Sequence, residues 1–227
     1  MTKVIRTKLD ALSIEELANT ITHGFGLFLS VIGLAVLVIL ASFRGDQWSI
    51  LSCTVYGLSL VVLYAASTFY HSTTSPRLKK NLQVVDHCCI YLLIAGSYTP
   101  FGVVIADSTW GRELMFGIWA FAIVGILVKL VIRDRFAAIN VISYVLMGWL
   151  GVFAIQPLLN TLGLTAVILT VAGGIAYSLG VIFFPWKSIK HHHAIFHVFI
   201  LLGSIIHYAT VVLYVVPHVS ALSEPPA

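Results

Sequence analysis

Residues 136–186 read FAAINVISYVLMGWLGVFAIQPLLNTLGLTAVILTVAGGIAYSLGVIFFPW and contain no Asp, Glu, Lys or Arg. A helix that crosses a bilayer needs about 20 apolar residues. The stretch is therefore too long for one crossing and long enough for two. Gln156, Pro157, Asn160 and Gly163 fall near its middle and predict a turn there. Counting it as two helices decides the architecture, because each crossing sends the rest of the chain to the other side of the membrane.

Working outward, the same absence of charge recurs at 17–43, 47–76, 87–106, 114–128 and 191–223. The 114–128 run is short, but it reaches about 132 if Lys129 snorkels its ammonium to the interface. Seven helices follow, at roughly 20–42, 48–71, 84–105, 112–132, 136–156, 162–184 and 193–216. The chain is 59% hydrophobic and only 10% charged, with a mean hydropathy of +0.99. That is too little charge to cover a soluble domain. In lipid the backbone must satisfy its own hydrogen bonds, which leaves helices or a closed barrel. Barrel strands alternate apolar and polar residues, whereas these runs are continuously apolar. The fold class expected is an all-α, seven-transmembrane helix bundle. Residues 1–16 form a tail or short amphipathic helix, 17–218 the membrane domain, and 219–227 a second tail.

Basic residues set the orientation. Lys3, Arg6 and Lys8, then Arg77, Lys79 and Lys80, then Lys129, Arg133 and Arg135, then Lys187 and Lys190 make eleven of the thirteen. With seven helices, all eleven fall on one side. Arg44 and Arg112 are left for the other. The N-terminus is therefore expected in the cytoplasm and the C-terminus outside it. The pI near 9.0 then reflects loops facing anionic lipid rather than a nucleic-acid partner. Trp48, Trp110 and Trp186 fall at expected interfaces. Ser13, followed by Glu15 and Glu16, reads as a helix cap. No cleavable signal peptide is apparent, and Cys53, Cys88 and Cys89 offer no disulfide framework.

Ionisable side chains at membrane depth are costly and mark function. Three groups qualify: Ser67-Thr-Phe-Tyr-His71 at the end of helix 2, Asp86-His87 at the start of helix 3, and His193-Ala-Ile-Phe-His197 at the start of helix 7. Histidines at i and i+4 share a helix face and can hold one ion between them. The helix count brings all three groups to the cytoplasmic side at similar depth. His71, His193 and His197 are candidate metal ligands, and three imidazoles are a common catalytic zinc set with a fourth position open. Asp86 can hold a metal-bound water and act as general base. It can also ligate directly, or merely cap helix 3. Ser67 can hydrogen-bond the water or a substrate carbonyl. His23 reads as a packing residue, His191 and His192 as interface contacts, and His207 as a packing group about 15 Å deeper than His197.

These motifs carry a resemblance. Glu15-Glu-Leu-Ala-Asn-Thr-Ile-Thr-His23-Gly, Ser67-Thr-Phe-Tyr-His71-Ser, Asp86-His-Cys-Cys-Ile-Tyr-Leu-Leu-Ile-Ala-Gly-Ser-Tyr-Thr-Pro100-Phe and His193-Ala-Ile-Phe-His197 occur in this order across nearly the whole chain. The sequence resembles the bacterial hemolysin III proteins, within the wider progestin and adipoQ receptor family. The resemblance implies a bacterial inner-membrane, multi-pass protein with Zn2+ on His71, His193 and His197, Asp86 on the zinc-bound water, and Ser67 at the family's serine. It also implies ceramidase-like hydrolysis of lipid amides or esters, with membrane lipids and an acyl-chain substrate as partners, and a part in membrane lipid homeostasis. A non-enzymatic sensor with structural zinc, or a cytolytic protein, are the other expectations. No segment with a water-lining stripe favours the last.

Overall fold

The computed structural model describes residues 13–221 apart from 44–46, 109–110, 134 and 136. Among them there is no strand, and seven helices are long and apolar enough to cross a membrane. They are α1 (Ile14–Ser42), α2 (Gln47–Ser72), α3 (Pro76–Val104), α4 (Gly111–Ile132), α5 (Ala137–Leu162 in three parts), α6 (Leu164–Phe183) and α7 (from His192 to Ala221, with a π-helical turn at Val211–Val215). The predicted tail before Ser13, the basic residues within it, Arg44, Trp110 and the end beyond 221 lie outside the described residues.

Consecutive helices pack side by side from α1 to α4, α6 packs on α7, and α7 closes the bundle against α1. The first core runs through Leu37, Tyr56, Leu60, Tyr64, Cys89, Leu93 and Val211. A second, of Tyr91, Ala95, Ile118, Ala122 and Met147, joins α3, α4 and α5. Close approach needs small residues where backbones meet rings. A Cβ on Gly26 would fall 2.6 Å from the Tyr64 ring. That ring is fixed at its far end by a 2.8 Å hydrogen bond from its hydroxyl to Ser204.

The run at 136–186 does make two helices, but the turn is narrower than expected. Gln156 to Asn160 are helical, and the chain reverses at Gly163 alone, whose φ of 82° suits a residue without a Cβ. Pro157 cannot donate to the ladder. The strain emerges just before it, as a 3₁₀ segment at Leu150–Ala154. Backbone groups freed there must be met inside the protein. Tyr98 of α3 does this: its hydroxyl donates to the Gly148 carbonyl at 2.6 Å and accepts from the Gly151 N–H at 2.7 Å.

Two other expectations are corrected. Helix 3 begins at Pro76 rather than 84, because Ser75 takes the N-cap position and proline suits the first helical turn. Asp86 is thus ten residues into α3 and is not its cap. Lys129 does not snorkel outward. It is wholly buried, turned into the bundle on the side of Asp86. Ser13 does cap α1, accepting from the Glu16 N–H at 3.2 Å.

The starts of α1, α3 and α7 and the ends of α2 and α4 meet at one end of the bundle. Glu16 bonds both His71 and Lys79 there, and Arg133 donates to Asn81 at 2.9 Å. Arg77, Lys79, Lys80, Arg133, Arg135, Lys187 and Lys190 share this basic end.

Candidate metal centre

His71 stands in the last turn of α2, and His193 and His197 in the first turns of α7. Helical spacing puts the latter two on one face, 4.6 Å apart between ring centroids. The His71 ring is 5.0 Å from each. One nitrogen from each imidazole lies within 4.8 Å of the others. Nitrogens bound to a single zinc at about 2.0–2.1 Å stand roughly 3.3 Å apart. Small side-chain adjustments would close the difference.

The hydrogen bonds around these rings say which nitrogens are free. His71 Nδ1 lies 2.6 Å from Glu16 Oε2, and the other Glu16 oxygen lies 2.8 Å from Lys79 Nζ. A carboxylate only accepts, so Nδ1 carries a proton, and in the neutral imidazole a metal needs, Nε2 keeps the lone pair. That Nε2 is buried with no hydrogen-bond partner. His197 follows the same logic. The Thr22 hydroxyl donates to the Ala18 carbonyl at 2.9 Å and sits 3.2 Å from His197 Nδ1. With its proton committed to the backbone, the hydroxyl accepts from Nδ1–H and leaves Nε2 of His197 available. An orphaned buried nitrogen costs about 1–3 kcal/mol, and His71 Nε2 is one. Its convergence with a nitrogen each of His193 and His197 fits a first-row ion such as zinc.

Asp86 and Ser67 come to the same place from α3 and α2, and each is less than a tenth exposed. The Ser67 hydroxyl faces Asp86 without a hydrogen bond of good geometry. Asp86 is not among the atoms that converge within 4.8 Å.

His23 packs, as its position suggested. It is 4% exposed, with its ring stacked on His197 at 3.4 Å and set edge-on to Tyr64 at 5.1 Å. Both of its nitrogens lack partners. A glycine-flanked histidine near a helix start gave no sign of this contact. His191 and His192 are half-buried at the turn into α7. His191 adopts a left-handed φ of 58° where the chain turns into α7, and His192 Nδ1 meets the Phe183 carbonyl at 3.1 Å. His207 does pack, Nε2 to the Thr170 carbonyl at 2.9 Å.

Beside the histidines lies a cavity of about 640 Å³. It follows α3, α5, α6 and α7 from Asp86, His193 and His197 to Ile105 and Leu158 at the opposite end. The sparse packing of α5 against its neighbours leaves this space, and apolar side chains form most of its wall. The Gly148 and Gly151 region that Tyr98 braces is part of that wall.

Seven apolar helices with a histidine cluster at one end define a class, the multi-pass membrane proteins with a candidate metal site in the bundle. Within it, the family model described as Haemolysin-III related matches residues 13–208, and the chain belongs to that family. It is 43% identical over 202 residues to the "Hemolysin-3 homolog" of Bacillus subtilis (strain 168), covering 89% of this chain and 95% of the relative. It is also 43% identical over 206 residues to "Hemolysin-3" of Bacillus cereus, covering 91% and 94%. To the human "Monocyte to macrophage differentiation factor" it is 29% identical over 202 residues, covering 86% and 82%.

Proposed function

We propose that this protein is a zinc-dependent hydrolase of lipid amides or esters, active just beneath the cytoplasmic surface of the membrane. The observation that carries the reading is the junction of the three-histidine group with an apolar cavity long enough for an acyl chain. The eleven basic residues placed on one side of the chain support a cytoplasmic site. When bound, zinc lowers the pKa of a coordinated water to about 7 and polarises a carbonyl.

The protein's own groups supply the rest. His71, His193 and His197 hold the ion from two helices. Asp86 orients the attacking water and takes its proton as general base. Ser67 donates to the substrate carbonyl or to the same water. The cavity wall draws the acyl chain out of the bilayer and fixes its first carbonyl beside the histidines. Purified protein in mixed lipid vesicles is expected to release fatty acid with added zinc and to stop when zinc is chelated. Failure to release fatty acid from any lipid amide or ester would contradict the reading.

A second reading rests on the way hydrogen bonds and ring contacts tie α1, α2 and α7 around the histidines. In it, the ion is a clasp in a membrane-state sensor. It predicts that loss of zinc lowers the melting temperature but that no lipid is turned over.

A further inference from the structure

Helix α1 contributes none of the three imidazoles, yet it stands behind two of them. Glu16 meets the Nδ1 side of His71 at 2.6 Å, and Thr22 meets the Nδ1 side of His197 at 3.2 Å. Each contact leaves the opposite nitrogen of its ring facing the cluster. Glu16 is itself held: its second oxygen bonds Lys79 at 2.8 Å, and its backbone N–H is capped by Ser13. The Lys79 ammonium in turn lies over the Tyr70 ring, 5.1 Å from its centroid. The carboxylate therefore has little freedom to leave His71.

We propose that Glu16 is a positioning residue of the metal centre, fixing His71 with its proton on Nδ1 and its Nε2 lone pair toward the ion, and that Thr22 does the same for His197. The two contacts are unequal. Glu16 accepts a charge-assisted hydrogen bond and adds a negative charge behind a ligand, which makes that ligand a better donor. Thr22 gives a longer, neutral contact that sets ring orientation only. A carboxylate behind a ligating histidine typically contributes 10–100-fold to metal affinity. The first three turns of α1 thus serve the site as well as the bundle. The proposal rests on the metal centre above, but not on lipid turnover.

The test is zinc affinity of the full-length protein in detergent, by competition with a chelator, alongside melting curves with and without zinc. Glu16→Gln keeps the size and one acceptor oxygen for His71 but removes the charge and the second acceptor that Lys79 uses. It is expected to weaken zinc binding by about 10–100-fold and to shrink the zinc-induced rise in melting temperature, with the zinc-free melting temperature unchanged. Thr22→Val should weaken binding less than Glu16→Gln. Glu16→Asp should recover part of the loss. Substituting cobalt in the wild type and in Glu16→Gln should give visible bands that differ, since ligand strength differs. If Glu16→Gln binds zinc as tightly as the wild type, the proposal is overturned while the metal centre stands. If Glu16→Gln lowers the melting temperature equally with and without zinc, Glu16 only straps α1 to α2 and the proposal is again overturned. If the wild type binds no zinc, both fall together.

Discussion

His197→Ala is expected to leave the protein folded but without its metal. His197 is 1% exposed and supplies one of three converging nitrogens. Two imidazoles alone make a weak site, so the loss in zinc affinity should exceed the roughly 100-fold that changing an outer partner of a ligand can cost. The fold has other supports on α7. Tyr64 and Tyr177 both bond Ser204, and Tyr208 donates to the Gly33 carbonyl at 3.0 Å. The truncation also removes the ring on which His23 stacks, so a modest fall in melting temperature accompanies it. Metal analysis after dialysis, with size-exclusion as the folding control, checks this. Near-stoichiometric zinc in the variant would remove His197 from the site.

Asp86→Asn should give the reverse pattern, with metal retained and lipid turnover lost. Asparagine matches aspartate in shape and can still meet Ser67, but it cannot take a proton from water. General-base loss typically costs about 10²–10⁴-fold in rate, read as fatty-acid release under saturating zinc. The substitution also removes a negative charge near the wholly buried Lys129. Leaving a buried charge less compensated destabilises, so a double variant with Lys129→Met separates the effects. Stability should return in it while turnover stays lost. Unchanged turnover in Asp86→Asn would rule out this carboxylate as the base.

The helix count, the converging histidines and their shared end of the bundle were legible in the sequence, because charge is so costly in lipid that its absence marks every span. What a linear reading could not weigh was which way a lone charge turns. Lys129 had two outlets, the interface or Asp86, and only the packing of α4 on α3 selects the second. The early start of α3 did have a signal in Ser75-Pro76, outweighed by the basic residues that follow. Glu16 was visible as an acid capped by Ser13 and as part of the stretch that runs to His23, without a partner. Its partner His71 is 55 residues away, and Thr22 meets His197 across 175. Pairings of that separation exist only once α1 closes against α2 and α7. The stacking of His23 on His197 was hidden for the same reason.

The central claim is an open metal centre formed by His71, His193 and His197 with Asp86 one water away. A structure of the zinc-loaded protein, with anomalous scattering measured at the zinc edge, tests it most directly. The account predicts one peak about 2.0–2.1 Å from a nitrogen of each histidine, with a water between the ion and the Asp86 carboxylate. No peak among these histidines would contradict the metal centre. A peak bonded directly to Asp86 would make the site a closed clasp and contradict the catalytic reading.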